Sequence, residues 1–219
     1  WTTDLAHFAV SHLLVQVTVL VTLVPAAIFF RWAVHPAIQT AVAAQPLALQ
    51  FVEIVVIADL SEYAIHRLFH AVPFLWRFHA VHHSSEVMDW LAGSRMHLVD
   101  VVVTRALAFV PLYVLGFSPA PVYAYLVFVS FHAVLIHANV RFRFGRLAHV
   151  VATPRFHHWH HAADPAAVDR NFAVHLPVID RLLGTYYMPS ERWPEGYGIP
   201  GSPVPRDYVR QLLYPFRRR

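Results

Sequence analysis

Histidine spacing is the feature of this sequence that points most directly to chemistry. The stretch HRLFHAVPFLWRFHAVHH at 66–83 contains five histidines, which are His66, His70, His79, His82 and His83. A second cluster, FHHWHH at 156–161, repeats the spacing His-x-x-His-His with His157, His160 and His161. Because neutral imidazole is a good ligand for iron, zinc and copper, both clusters predict metal binding.

The number of histidines indicates two metal ions rather than one. Residues four apart share a face of a helix, so His66 can bind an ion together with His70. A zinc ion is usually satisfied by four ligands, and the eight histidines of the motifs therefore suit two ions. Packing in a protein core would explain one such pair more simply. The three motifs HRLFH, HAVHH and FHHWHH together favour a metal site.

The composition is that of a membrane protein. The chain has 57% hydrophobic residues, 14% charged residues and a mean hydropathy of +0.45, whereas about a quarter of the residues of soluble proteins are charged. Its 219 residues suit one domain, without length for a separate cofactor domain. The absence of cysteine excludes thiolate zinc sites and iron–sulfur clusters, so any metal must be held by imidazole or carboxylate.

The charge balance indicates contact with lipid headgroups rather than with nucleic acid. The net charge is +4 and the sequence pI is about 9.7, but the long apolar runs favour anionic lipids as the partner of this charge. All 17 basic residues are arginine, which indicates GC-rich codons and a bacterial source.

Four apolar runs predict an all-α integral membrane fold, with spans at about 5–30, 47–65, 98–117 and 122–140. The segments 66–97 and 141–219 are predicted to form a helical cap, so that 1–219 is a single catalytic domain. Alternating crossings place all the histidine motifs on one side of the membrane. Most of the arginines near the spans share this side, and the positive-inside rule makes it cytoplasmic, in a bacterial inner membrane.

Two carboxylates lie close to the first motif in the sequence. Asp59 and Glu62 precede His66 by seven and four residues, and all three can share a helical face. One interpretation is that the carboxylates orient metal-binding imidazoles by contacting the ring nitrogens that do not bind the metal. The other is that Glu62 lies at the level of the lipid headgroups. No further catalytic residue is predicted beyond the metal centre.

The motifs also resemble those of a known family. HRLFH, HAVHH and TPRFHHWHH, followed by NFAVHLPVIDRLLGTYY, look like the fatty acid hydroxylase superfamily, also called the sterol desaturase family, from about Asp59 to Tyr187. This resemblance implies an integral membrane enzyme with a histidine-ligated di-iron centre that uses dioxygen on a lipid C–H bond. The ligands that it implies are His66, His70, His79, His82, His83, His157, His160 and His161.

The remaining histidines are assigned individually. His137, in HANVR, resembles a further family signature and is expected to be a ninth ligand, and His97 and His175 are further candidates. His158 takes an intervening position of the third motif and is left out. We expect packing or surface roles for His7, His12, His35, His132 and His149.

The resemblance also implies the cofactors and partners. They are two iron ions, for which zinc can substitute, dioxygen, and electrons from NAD(P)H. Because the sequence has no dinucleotide-binding glycine motif and no haem-binding motif, the electrons must arrive through a ferredoxin, a cytochrome b5 or a reductase. The substrate is a lipid such as a sterol or fatty acyl chain, and the sequence does not separate hydroxylation from desaturation.

Two other classes of protein remain open. A membrane zinc protein or hydrolase without redox chemistry could use the same histidines, and metal content with oxygen uptake separates it from the oxidoreductase. A membrane haem protein is disfavoured, because the clusters lie at the ends of the predicted spans and not in the middle of the membrane.

Overall fold

The computed structural model describes residues 1–14, 17, 20–21, 24–25, 28, 34–189 and 192–217. These residues form helices and connecting segments without a β-strand, which confirms the predicted all-α class. The described α-helices are α1 (Thr2–Leu13), α2 (Pro36–Ala43), α3 (Leu47–Ala71), α4 (Pro73–His83), α5 (Leu98–Leu115), α6 (Pro119–His137), α7 (Pro154–His160), α8 (Pro177–Leu183) and α9 (Tyr208–Leu213).

Proline determines where several of these helices begin. Five of them, α2, α4, α6, α7 and α8, have proline in their first turn, where the missing N–H leaves no hydrogen bond unmade. α3 ends at Ala71 and α4 begins at Pro73, so the first two motifs lie on separate helices. His66 and His70 lie on the last turns of α3, so the helix of the predicted second span itself carries them.

Helices α5 and α6 are each long and apolar enough to cross a membrane. α2 and α3 are apolar enough only when taken together, and they are bent by 118° at their junction. The described residues therefore contain two candidate spans, or three if the bent pair is one span, and the predicted number of four is not confirmed. The predicted span 5–30 lies largely outside the described residues, since α1 ends at Leu13.

α3 packs against both α5 and α6 and forms the core of the bundle. The buried core residues are Ile54 and Ala58 of α3, Leu112 of α5 and Tyr125 of α6. On the outside of α6, Phe131 is 75% exposed. Such outward apolar side chains suit a lipid environment, because they would be unfavourable against water.

The cap closes over the end of the bundle where α3 ends, α5 begins and α6 ends. α4 and α7 lie here, and the C-terminal segment with α9 packs back on α1. One buried contact of this kind joins His7 Nε2 and the Gln211 side-chain oxygen at 2.8 Å. A second joins Arg95 to both carboxylate oxygens of Asp4, at 2.5 and 2.9 Å. These contacts fix α1 to the C-terminal segment and to the segment that follows α4.

Candidate metal centre

Nine histidines from four helices and one helix end converge at the junction of bundle and cap, in two groups. The ligand atoms within each group all lie within 4.8 Å of one another. The five-histidine group consists of His66, His70, His79, His83 and His160. The four-histidine group consists of His82, His137, His157 and His161. All nine histidines that the sequence singles out as principal ligand candidates are therefore brought together.

The period of the helix divides the second and third motifs between the two groups, whereas both histidines of the first motif belong to the five-histidine group. On α4, His79 and His83 are four residues apart and share the face toward the five-histidine group, whereas His82 is turned toward the other group. The third motif divides in the opposite sense, since His157 and His161 belong together and His160 turns away. The rings of His83 and His161 stack with centroids 4.5 Å apart, so the two groups are immediate neighbours.

Protein oxygens fix which ring nitrogen of most of these histidines carries the proton. In six of the nine, Nδ1 lies within hydrogen-bond distance of an oxygen acceptor, and an N–H must therefore stand at Nδ1. The acceptors are Phe172 O for His66, Asp169 Oδ1 for His70, Asp100 Oδ2 for His79, Arg95 O for His82, Ala133 O for His137 and Arg170 O for His160. Nε2 is then left as a lone-pair donor in each ring.

The Nε2 atoms within each group lie at distances from one another that a shared metal ion explains. The Nε2 atom of His83 lies 3.2 Å from those of both His70 and His79, and His137 Nε2 lies 2.9 Å from His157 Nε2. Two nitrogens bound to one ion at about 2.1 Å, with angles of roughly 90° to 110°, lie about 3.0 to 3.4 Å apart. The buried Nε2 atoms of His66 and His160 have no hydrogen-bond partner among the described residues. The residues present therefore fit two metal ions.

The environment keeps the imidazoles of the cap in the form that binds metal. Burial lowers the pKa of His79, His83 and His160 well below the usual range, and the neighbouring histidines lower it further. Burial likewise lowers the pKa of His82, His157 and His161. A neutral imidazole has a free lone pair, so these residues can act as ligands without first releasing a proton.

The segment 169–172 supports three members of the five-histidine group at once. It supplies the carboxylate on His70 at 3.0 Å, the carbonyl on His160 at 2.7 Å and the carbonyl on His66 at 2.8 Å. Asp169 and Asn171 have φ values of 56° and 57°, in the left-handed region that aspartate and asparagine tolerate best after glycine. This local conformation turns successive oxygens toward the ring nitrogens.

Two carboxylates hold the following backbone in place by accepting five consecutive N–H groups. Asp180 accepts those of Phe172 and Ala173, each at 2.8 Å. Asp59 accepts the next three, from residues 174, 175 and 176, at 2.8, 3.0 and 2.6 Å. Since buried backbone donors require partners, the two side chains determine the path of this segment. We call residues 172–176, held in this way, the clamped segment.

The other predicted site residues lie outside the two groups. Asp59 acts on the backbone of the clamped segment and bonds to none of the nine histidines, and Glu62 bonds to none of them either. The ring of His97 caps α5 and contacts Leu212 O at 3.0 Å. His175 contacts Tyr125 Oη at 3.2 Å and His132 at 3.0 Å. Both rings are thus occupied elsewhere, and His132 has the packing role expected of it.

Sequence reasoning missed two carboxylates that do contact ligand candidates. Asp100 Oδ2 lies 2.8 Å from His79 Nδ1, and its other oxygen accepts from Thr104. Its position in an apolar run was a usable signal, because a charge in a membrane span usually has a partner. Asp169 belongs to no motif and lies 99 residues from His70, so nothing in the sequence links them.

The chain is similar in sequence to two known kinds of lipid-modifying protein. The chain is 39% identical over 175 residues to the ornithine lipid hydroxylase OlsE of Rhizobium tropici, which covers 80% of this chain and 52% of that protein. It is 31% identical over 135 residues to the human alkylglycerol monooxygenase, covering 61% of this chain and 30% of that protein. The chain therefore spans about half the length of the first relative and less of the second. None of the solved structures matches it.

A family model gives the same relationship independently of any one relative. The model described as fatty acid hydroxylase matches residues 51–185. This range begins in α3, ends just after α8, and includes both histidine groups. The match covers more than half of the chain, which therefore belongs to the fatty acid hydroxylase family.

Proposed function

We propose that this chain is an oxygen-dependent lipid hydroxylase whose two histidine groups each hold one iron ion. The observation that carries the proposal is the convergence of Nε2 atoms in two adjacent groups, with six of the nine Nδ1 atoms bonded to protein oxygens. The similarity to a lipid hydroxylase and a monooxygenase supports the same class of reaction. The chain would be an integral membrane enzyme, with the histidine side facing the cytoplasm of a bacterial cell.

The ligand set supports iron ions in a redox enzyme over the alternative, which is a zinc protein without redox chemistry. A closed zinc site usually takes four ligands, and the five-histidine group offers one more than that. Imidazole suits iron well, and the chain has no cysteine to form a thiolate site that would favour zinc. The four-histidine group alone would fit either metal, so the metal content of the purified protein decides the question.

When bound, the irons would supply the reductive activation of dioxygen, by which a lipid C–H bond, dioxygen, two electrons and two protons give an alcohol and water. The chain itself would hold the ions through its neutral imidazoles and exclude bulk water from them. His157 and His161 are each 2% exposed, and such burial protects a reactive centre from side reactions. Removal of a second hydrogen instead of oxygen transfer would make the enzyme a desaturase.

Electrons would come from NAD(P)H through a separate donor protein, a ferredoxin, cytochrome b5 or reductase. The segment after α6 exposes Arg141, Arg143 and Arg146, and it follows His137 of the four-histidine group in the chain. Exposed arginines would guide an acidic donor to this face by electrostatic attraction. Oxidation of NADPH by the purified chain alone, coupled to product formation, would contradict this part of the proposal.

The printed names of the relatives suggest which lipids to test first. The more similar of the two hydroxylates an ornithine lipid, and the other acts on alkylglycerols. We therefore propose an ornithine lipid as the first candidate substrate and an alkylglycerol as the second.

Expression in a bacterium that contains the candidate lipid, followed by lipid mass spectrometry, tests the reaction. A product heavier by one oxygen is expected, whereas loss of two hydrogens would indicate desaturation. His160→Ala and His157→Ala should each abolish the product and lower bound iron to about one ion per chain. His149→Ala is the matched control, because this histidine is exposed and outside both groups. Bound zinc with no oxygen uptake would overturn the proposal.

A further inference from the structure

Two opposite charges inside the bundle have no partner within the described part of the chain. Glu62 lies on α3 one helical turn before His66, and Arg105 lies on α5. Both side chains are half-buried. Their helices pack against each other, but neither side chain forms an ion pair or a hydrogen bond with a described residue.

The other charged side chains of these two helices are partnered. α3 and α5 carry six charged side chains, and four of them form hydrogen bonds: Glu53 with Gln45, Asp59 with the clamped segment, Arg67 with Tyr63, and Asp100 with His79. A charge in an apolar layer is unfavourable unless it is paired or reaches water. Glu62 and Arg105 therefore stand out as groups whose partner is not part of the described chain.

The surroundings place this pair between the apolar core and the metal centre. On α3, Glu62 shares a helical face with Ala58 of the core and with His66, which are each four residues away. On α5, Arg105 lies between Leu112 of the core and Asp100, which contacts His79. Both charges therefore lie within about two helical turns of a residue that belongs to the five-histidine group or contacts it.

We propose that Glu62 and Arg105 together bind the polar end of a zwitterionic lipid, with the carboxylate of Glu62 on its ammonium group and the guanidinium of Arg105 on its acidic oxygens. This inference rests on the proposed function and names its substrate class. An arginine guanidinium matches a carboxylate or phosphate through paired N–H groups. A neutral lipid such as an alkylglycerol would leave both charges desolvated and unpaired, so the pair would select against it.

Binding of matched lipids to the purified protein in dodecyl maltoside, without reductant, tests the proposal. The probes are N-acylornithine, its methyl ester, which lacks the anion, and N-acylnorvaline, which lacks the cation. A 1-O-alkylglycerol lacks both charges. Wild type is expected to bind N-acylornithine about tenfold more tightly than either single-charge analogue, which is the loss that one charge-assisted hydrogen bond produces. Phosphatidylethanolamine is a further probe in this assay, because its headgroup carries a phosphate in place of the carboxylate.

Two substitutions should remove one preference each. Arg105→Gln should bind N-acylornithine and its methyl ester equally but still reject N-acylnorvaline. Glu62→Gln should bind N-acylornithine and N-acylnorvaline equally but still reject the methyl ester. Glu53→Gln and Arg67→Gln are the matched controls on α3, and both should keep the wild-type preferences. If a glutamine variant does not fold, Glu62→Asp and Arg105→Lys, which keep the charges, should retain a measurable part of the corresponding preference.

Equal binding of the four lipids by wild type would overturn the inference. It would also be overturned if both variants bound all four lipids more weakly than wild type by the same factor. Charge-dependent binding of phosphatidylethanolamine in place of N-acylornithine would support the site with phosphate as its anion. The assay needs no turnover, so it is separate from the proposed function. Hydroxylation of alkylglycerol without charge selection would overturn this inference alone, and selective binding without any hydroxylated product would overturn only the function.

Discussion

Replacement of Asp59 by asparagine tests whether the clamped segment holds the five-histidine group. The Asp59 carboxylate accepts the backbone N–H groups of residues 174, 175 and 176, two on Oδ1 and one on Oδ2. An asparagine amide keeps only one acceptor oxygen. If that oxygen takes the place of Oδ1, the new NH₂ group faces the N–H of Leu176, and two donors oppose each other in a buried site.

The size of the effect follows from these contacts. The substitution removes one hydrogen bond to a charged group, which contributes about 1.5–3 kcal/mol, and leaves a buried donor without a partner at about 1–3 kcal/mol more. We expect a loss of about 3 kcal/mol, toward the lower end of this sum, because the segment can shift to relieve part of the clash. For a chain of this size that loss lowers the melting temperature by about 6 to 12 °C.

The loss of metal should be selective. Displacement of the clamped segment moves Phe172 O away from His66 Nδ1, which it contacts at 2.8 Å, whereas no oxygen of this segment contacts the four-histidine group. Iron per chain should therefore fall from about two to about one, since loss of such an outer contact weakens metal binding about 10- to 100-fold. The measurements are thermal melting and metal analysis after dialysis. Asp207→Asn is the matched control, because asparagine caps a helix as well as aspartate does.

A clear result would refute this reasoning. If Asp59→Asn melts within about 2 °C of wild type and keeps both irons, the three N–H contacts do not stabilise the segment by the amount derived. Equal loss of both irons would show that the carboxylate acts on the whole fold and not through Phe172.

Three further predictions concern other parts of the site. A Cβ atom on Gly93 would lie 2.9 Å from Nδ1 of His137, so Gly93→Ala should displace that ring and remove about one iron per chain. In the control variant Gly196→Ala the new Cβ meets nothing within 4 Å, so both irons should remain. Equal iron content in the two variants would contradict the argument. Burial lowers the pKa of His175 to about 3, so its contribution to stability is complete above pH 6.5 and declines as the pH falls from there toward 3. Between pH 7.5 and 5.5, wild type should lose about 1.3 kcal/mol that His175→Gln does not lose, and parallel melting curves of the two proteins would refute this. Removal of iron by a chelator should lower the melting temperature, because a bound ion stabilises the folded state, and unchanged melting would mean that the ions do not bind with useful affinity.

Much of the site could be predicted from the sequence because its signals are local. The spacings of four residues between His66 and His70, and between His79 and His83, place each pair on one helical face whatever the rest of the fold does. The break at Pro73 is local as well, since proline cannot continue a hydrogen-bonded helix. The apolar runs around α5 and α6 are equally visible in the composition.

The roles of the carboxylates could not be predicted in the same way. Asp59 is 115 residues from Val174, whose N–H it accepts, and Asp169 is 99 residues from His70. No periodicity connects such distant positions, and their contacts exist only because the cap folds back over α3. The number of spans is not settled by the described residues either, since α3 passes as a span only together with α2 and most of the predicted span 5–30 lies outside them.

The sequence by itself determined the class of the molecule and the identity of the nine histidines, because composition and helical spacing are properties of short segments. Only the tertiary structure decided how the histidines divide into two groups, since that depends on how α4 and α7 are rotated about their axes when they pack. It also decided that His97 and His175 bond elsewhere, and that Glu62 and Arg105 have no hydrogen-bond partner among the described residues. These outcomes depend on contacts between distant segments, for which the linear sequence carries no repeat or spacing.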